Sequence, residues 1–374
     1  MRQFSMLIKP ASSLCNMRCK YCFYADVSDN RTVRSYGIMT DETARLLIDR
    51  ALDEVGERGR LHIAFQGGEP TLAGLDFYKR FTKYAAEKKP AGVGIEYAIQ
   101  TNGYLLDENW CRLLAKEGFL VGLSFDGTPD LHDFLRPDGG GSGTAKRVLQ
   151  AASCMDAAGV EYNILTVVTR QAARHPRQIF SYCQKRGFRF LQFIPCLPPF
   201  EKMGPKEANA PPYALTPRLY AAFLKDMFRL WRQALEKGEY ISIRLFDNLV
   251  RLAGGGQPEQ CGMLGFCQPQ FVVEADGGIY PCDFYVLDEY RMGNIRESAF
   301  TELARGPALA DFLQPVEKHP ICGGCPCLRV CGGGCRRYRD FYFSEEGYCP
   351  YRDFLTACWP DIRRIAAAVE QNGA

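Results

Sequence analysis

The chain has 374 residues, with 46 basic and 43 acidic side chains and a net charge of +3. Its 47% hydrophobic and 24% charged content is that of an ordinary globular protein, which excludes wholesale disorder. The near balance of charge gives no electrostatic case for a nucleic acid or an anionic membrane as partner. The length accommodates one large α/β domain plus an appended module, and the outlying number is the count of seventeen cysteines.

In chain order, the first candidate strand is Phe4–Ile8, followed by the loop Cys15–Cys22. Thr40 caps a helix over Asp41–Glu57. Strand Leu61–Gln66 leads into Gly67-Gly68-Glu69-Pro70, and a helix spans Asp76–Lys88. Strand Ile95–Thr101 ends in Thr101-Asn102-Gly103, and Asp107 caps a helix over Glu108–Glu117. Strand Leu120–Ser124 runs into Ser124-Phe125-Asp126-Gly127, with a helix over Ala145–Ala158 capped by Ser142 or Thr144. Then come strand Tyr162–Val168, helix His175–Lys185 and strand Phe188–Ile194, which ends in Pro195-Cys196-Leu197. Residues 198–215 are proline-rich and read as a surface loop or lid; a long helix, Thr216–Lys237, and a strand, Ile241–Arg244, follow. Beyond Gly254-Gly255-Gly256 the composition shifts to cysteine, glycine and turns. Phe271–Glu274 and Ile279–Cys282 form a hairpin across Asp276-Gly277-Gly278, and a last helix from Tyr351 to about Val369 packs back as a cap. Strand–helix alternation of this kind implies a parallel sheet with right-handed crossovers. In such a sheet the loops after the strand ends share one face, where an active site assembles. Five of the polar motifs follow strands in this way.

The cysteines divide by spacing. Cys15, Cys19 and Cys22 form a Cys-x3-Cys-x2-Cys run, Cys261 and Cys267 a pair, and seven more crowd between 282 and 349. Cys111, Cys154, Cys183, Cys196 and Cys358 are isolated and read as small buried apolar residues. Disulfides belong to short secreted chains. Here Met1–Pro10 has only a brief apolar stretch with Lys9 inside it, without the apolar core or cleavage site of a leader. No apolar run approaches the roughly 20 residues that span a bilayer. A reducing cytoplasm is therefore expected, where clustered cysteines mean metal. The first run places three thiolates on one compact loop, enough for three irons of a [4Fe–4S] cubane with the fourth iron open, or for a zinc knuckle short of a ligand.

That run, placed after the first strand, resembles the signature of the radical S-adenosylmethionine (SAM) superfamily. The resemblance implies an open, partial (β/α)6 TIM-like barrel, with SAM chelated to the open iron and cleaved to a 5′-deoxyadenosyl radical. Tyr21 then faces adenine, and Gly68 of the Gly67-Gly68-Glu69-Pro70 motif meets the SAM amino group. Ser124, Arg136 and Leu197 match further SAM-contacting positions, although each also reads as a loop or packing residue. Downstream, Cys322-x2-Cys325-x5-Cys331-x3-Cys335 and Cys349 resemble the SPASM extension of peptide-modifying members. By that resemblance Cys261, Cys267, Cys282 and Cys335 hold one auxiliary [4Fe–4S] cluster, and Cys322, Cys325, Cys331 and Cys349 hold another. Structural zinc also suits this spacing, but the upstream run favours iron. Cys327 lies inside the run unassigned.

Leu7-Ile8-Lys9-Pro10-Ala11-Ser12-Ser13, Cys22-Phe23-Tyr24, Ser35-Tyr36-Gly37-Ile38-Met39, Ala64 to Leu75 and Tyr280 to Asp288 are similar, end to end, to the anaerobic sulfatase-maturating enzymes. These oxidise a cysteine or serine of an unfolded or nascent sulfatase polypeptide to Cα-formylglycine. Asp283 matches their catalytic base, which takes the thiol or hydroxyl proton; its bland reading is a turn or capping aspartate. Tyr24 and Gln66 match residues lining the substrate end, and a flavodoxin or ferredoxin is the expected reductant. The implied organisation is a radical SAM core over residues 1–240, a SPASM domain over 241–350 and a C-terminal helix over 351–374. The rivals are another peptide modification (thioether formation, epimerisation or carbon–carbon crosslinking) and a zinc-stabilised binding protein. Other chemistries fit poorly. The four histidines are scattered, Gly122-x-Ser124-x-x-Gly127 has the wrong spacing for a nucleophile elbow, and Gly139–Gly143 lacks the ending of a phosphate loop.

Overall fold

The computed structural model describes residues 2–200 and 211–373, so most of the proline-rich stretch read as a loop or lid lies outside the described residues. Its strands are β1 (Arg2–Ile8), β2 (Arg58–Phe65), β3 (Gly92–Thr101), β4 (Leu120–Ser124), β5 (Tyr162–Val168), β6 (Phe190–Pro195), β7 (Ser242–Ile243), β8 (Val272–Val273), β9 (Gly278–Tyr280) and β10 (Gly293–Asn294). The chain divides into two compact units. One comprises Met1–Ser124, Arg136–Tyr162 and Gln268–Gln314; the other comprises Phe125–Leu135, Asn163–Cys267 and Pro315–Ala374.

In the first unit the strands stand in the order β10-β9-β8-β1-β2-β3-β4. β1, β2, β3 and β4 pair in parallel, as the alternation predicts, so their trailing loops leave from one edge. In β2, Gly59, Leu61, Ile63 and Phe65 are buried in strict alternation, giving the sheet its core face. The helix Asp41–Val55 covers that side with Leu47, Ile48, Ala51, Leu52 and Val55; the Thr40 hydroxyl accepts from the Thr43 N–H at 3.2 Å and caps it. Asp107 caps Glu108–Lys116 in the same way, whereas Thr144 precedes its helix without a side-chain cap bond.

Two features were not foreseen. Cys22 caps a short helix, Phe23–Asp29, too brief to show a period in sequence. The hairpin of β8 and β9 is present, with Gly277 at φ +86° in its turn, but β8 also pairs in parallel with β1 through Leu7↔Val272 and Ile8↔Val273. β1 is therefore bonded on both edges, and Ile8 is 0% exposed.

In the second unit β5, β6 and β7 form a parallel set. Helix Pro217–Glu236 begins at the Thr216 cap and buries Phe223, Phe228 and Trp231, whose indole N–H donates to the Ile241 carbonyl at 2.8 Å. The terminal helix Pro350–Gly373 packs on Pro217–Glu236 and Arg244–Ala253, as expected of a cap, with Lys225 paired to Asp353 and Arg232 to Asp361. No helix among the described residues is long and apolar enough to cross a membrane.

Because Ile8 is fully enclosed on a strand paired at both edges, Ile8→Ala is expected to cost about 2–5 kcal/mol of stability. A fall in the urea midpoint under anaerobic conditions measures it, and an unchanged midpoint would contradict the central place of β1.

Candidate active site

In the first unit the loop after β1 carries Cys15, Cys19 and Cys22. It folds back on itself through Cys22 N–H to Cys19 O (3.2 Å), and the Cys22 sulfur accepts from the Ala25 N–H at 3.4 Å. The Cys15 sulfur accepts from the Met17 N–H at 3.4 Å and lies 3.8 Å from Asn102 Nδ2. Burial pushes the Cys15 thiol up to about 12, so without a metal it would stay protonated. Iron coordination is the change that would make it a thiolate. Asn16 Nδ2 in the same loop is buried without a hydrogen-bond partner, a donor that an added sulfide-rich group would suit. Three thiols and an unused donor fit three corners of a cubane.

The loop after β2 is pressed against this one. Gly68 N–H donates to Ser12 O at 2.8 Å and Glu69 N–H to Leu14 O at 2.7 Å. A Cβ on Gly68 would lie 2.1 Å from Leu14 O, so only glycine permits the approach. Glu69, 1% exposed, accepts from the hydroxyls of Thr71 (2.6 Å) and Thr101 (2.7 Å) and from the N–H groups of Thr71 (3.1 Å) and Asn102 (2.8 Å). Burial raises its carboxyl above the ordinary value, and the hydrogen bonds from Thr71, Asn102 and Thr101 act against that rise. Asn102 in turn donates to Asn16 Oδ1 at 2.8 Å. Glu69 thus ties the loops after β1, β2 and β3 together. Of the expected SAM contacts, Arg136 Nη1 donates to the Tyr21 hydroxyl at 2.9 Å, and Gln100 Nε2 donates to Ser124 Oγ at 3.0 Å. Arg18 N–H to Pro137 O (2.8 Å) and Gly139 N–H to Asn16 O (3.1 Å) hold the segment after Arg136 beside the cysteine loop. Leu197 follows β6 in the second unit, half-buried.

Asp283 stands just past β9, 9% exposed. Its Oδ1 pairs with Lys9 Nζ at 2.5 Å, its Oδ2 accepts from Gln66 Nε2 at 2.8 Å, and its backbone N–H donates to Gln270 Oε1 at 2.9 Å. Lys9 is itself 0% exposed and lies 3.8 Å from the centre of the Tyr24 ring. The Tyr24 hydroxyl donates to Glu274, which also takes Arg31 Nη1 at 2.6 Å. Burial and then the Glu274 carboxylate push the Tyr24 phenol well above its usual value, so it remains a donor. Asp283, Gln66 and Tyr24 are therefore brought together, with Lys9, Glu274, Arg31 and Gln270, which sequence reasoning did not assign. Lys9 and Glu274 did leave a signal, as charges at the ends of apolar strand runs.

In the second unit Cys322, Cys325, Cys331 and Cys349 line one hollow, together with Cys327, Leu328, Tyr342 and Tyr351. Burial pushes Cys331 up to about 11 and raises Cys322 and Cys349, so these thiols too would need a metal to ionise. The Cys327 sulfur lies 3.9 Å from the Thr356 hydroxyl. Cys261, Cys267 and Cys335 are mutual neighbours: a Cβ on Gly332 would lie 2.4 Å from Gly265 N, so the two loops touch backbone to backbone. Cys282 belongs to the first unit. Among the described residues no cysteine forms a disulfide, and no group of His, Cys, Asp or Glu is gathered for a single metal ion. Of the isolated cysteines, Cys111, Cys183, Cys196 and Cys358 are buried and Cys154 is half-buried.

The chain is similar to known proteins along most of its length. The radical SAM superfamily model matches residues 10–194, and the model of an iron–sulfur cluster-binding domain, SPASM, matches residues 266–326. A cysteine-type anaerobic sulfatase-maturating enzyme of Clostridium novyi is 42% identical over 92% of this chain and 91% of its own. One from Clostridium perfringens is 43% identical over 98% and 99%. The solved structure of native anSMEcpe with bound AdoMet and Kp18Cys peptide superposes with a TM-score of 0.90 at 40% identity, covering 98% of this chain and 100% of that one. The fold is accordingly a mixed α/β one with a parallel sheet, a radical SAM domain and a SPASM domain. By this likeness the chain belongs to the anaerobic sulfatase-maturating enzymes of the radical SAM superfamily.

Proposed function

We propose that the protein oxidises a cysteine of a sulfatase polypeptide to Cα-formylglycine, with SAM and three [4Fe–4S] clusters as cofactors. The observation that carries this reading is the seat of Asp283, a carboxylate fixed by one donor on each oxygen. A carboxylate offers about four lone-pair sites. Lys9 and Gln66 occupy one on each oxygen, which leaves others to receive the proton of a substrate thiol. The side chain is 12% exposed, enough for a peptide side chain to reach.

Cys15, Cys19 and Cys22 would hold the cluster that binds SAM, with Tyr21, Gly68, Ser124, Arg136 and Leu197 as its contacts. Bound there, SAM and its cluster supply the radical chemistry that removes a hydrogen atom from the substrate Cβ. Cys261, Cys267, Cys282 and Cys335 would hold one auxiliary cluster and Cys322, Cys325, Cys331 and Cys349 the other, supplying electron transfer. Superfamily membership supports SAM and one [4Fe–4S] cluster, and the SPASM match supports further ones; the count of three rests on these two cysteine sets. Gln66 orients Asp283, and Tyr24 closes the substrate end. The cysteine-type names of the relatives at 42% and 43% identity favour cysteine over serine. The partners are an unfolded or nascent sulfatase chain and a flavodoxin or ferredoxin reductant, in the cytoplasm.

The anaerobically reconstituted protein is expected to carry about twelve irons per chain. Given SAM, reductant and a sulfatase peptide, it should form an aldehyde that a hydrazine traps and mass spectrometry detects, faster with Cys than with Ser at the modified position. SAM cleavage without aldehyde on either peptide would point to another peptide modification, and full zinc with little iron would end the enzyme reading. Asp283→Asn should keep its iron and lose about 100-fold or more in formylglycine formation; undiminished product would remove Asp283 as the base. Gly68→Ala, which drives a Cβ into Leu14 O, should lower iron retention and SAM cleavage together. Wild-type iron and SAM binding in that variant would show that the two loops need not touch.

A further inference from the structure

We propose that Lys9 is a positioning residue for Asp283, setting the orientation in which that carboxylate takes the substrate proton. The inference rests on Asp283 being the base. A lysine at 0% exposure is rare, because an ammonium leaves water at high cost unless it is closely paired. Apolar side chains of similar volume would hold a core at least as well, so stability alone is a weak reason for the pair.

The geometry supplies a better one. Lys9 has little freedom of its own. Its N–H donates to Val273 O at 2.8 Å, Pro10 follows it, and the preceding carbonyl, Ile8 O, accepts from Gln66 N–H at 2.9 Å. Lys9 and Gln66 thus hang from the ends of paired strands β1 and β2, and their side chains meet the two oxygens of one carboxylate at 2.5 and 2.8 Å. With a donor from a different strand on each oxygen, Asp283 cannot turn about its last torsion without losing one of them. Gln270 holds its backbone N–H at 2.9 Å, so the residue is fixed at both ends. The ammonium has a support behind it, the face of Tyr24 at 3.8 Å. Tyr24 is itself immobilised through its hydroxyl by Glu274, which Arg31 pairs at 2.6 Å, while Arg31 reaches Arg34 O at 2.8 Å. Lys9 is the link between Asp283 and the group formed by Arg31, Glu274 and Tyr24. Tyr24 therefore acts here as a floor under Lys9.

The test is a cycle of Lys9→Met, Asp283→Asn and the double variant in reconstituted holoenzyme. Lys9→Met should lower kcat for formylglycine about 10- to 100-fold, as expected for a misplaced reacting group, with KM changed by less than about threefold. The yield of 5′-deoxyadenosine per formylglycine should rise, since hydrogen abstraction then outruns proton removal. A general structural defect would lower both products together. If Lys9 acts through Asp283, the double variant loses no more activity than Asp283→Asn alone. Independently of activity, the double variant should melt above Lys9→Met, by about 3 °C or more, because it strands no buried carboxylate. Multiplying losses, or a double variant that melts below Lys9→Met, would overturn the proposal. Wild-type kcat in Lys9→Met with an impaired Asp283→Asn overturns it while sparing Asp283 as the base. Undiminished turnover in Asp283→Asn overturns the base, and this proposal with it.

Discussion

The parallel pairing of β1 on both edges is the constraint on which the site depends. β1 meets β2 along its whole length and β8 over its last two residues, Leu7 and Ile8. The first pairing brings Gln66 and the Gly67–Pro70 loop level with the end of β1. The second brings in a segment more than 260 residues further along the chain, and with it Glu274, Gln270 and Asp283. Lys9 is the first residue beyond β1, and it is where both sets of groups arrive. Parallel strands do not adjoin through tight turns. Here the connection to β8 runs through β2 to β7, so the groups that meet around Asp283 come from distant parts of the chain.

A second network holds the cysteine loop, and its logic differs. Around Asp283 the buried charges are paired: Lys9 with Asp283 and Arg31 with Glu274, each at or near full burial. Beside Cys15 the buried carboxylate of Glu69 is held by hydroxyl and N–H donors. A carboxylate held by neutral dipoles thus braces three loops. The pressure of Gly68 against Leu14 O belongs to the same bracing, and it sets how near the second loop comes to the first.

What could be read beforehand follows from this division. The parallel strands, most helices, the Thr40 and Asp107 caps and the Cys15–Cys22 loop are local in sequence, so periodicity and spacing reveal them. The hairpin of β8 and β9 was legible through Asp276-Gly277-Gly278, and Gly277 does take the left-handed turn conformation. Its parallel docking on β1 was not, because two-residue strands carry no period. For the same reason Lys9 was noticed only as a charge interrupting an apolar stretch, and Glu274 only as the end of a strand. Asp283, Gln66 and Tyr24 were singled out by family resemblance; nothing in their spacing announces that they meet.

The cysteines show the same limit from the other side. Cys322, Cys325, Cys331 and Cys349 line one hollow, and three of them lie within ten residues, so spacing alone nearly defines the set. Cys327 lies in the same wall, yet its sulfur is turned to within 3.9 Å of the Thr356 hydroxyl on the terminal helix. Burial raises this thiol too, so burial does not separate it from its neighbours. Partner chemistry does. Cys327 has the Thr356 hydroxyl beside it as well as Cys325, whereas Cys331 and Cys349 are flanked by thiols of the set.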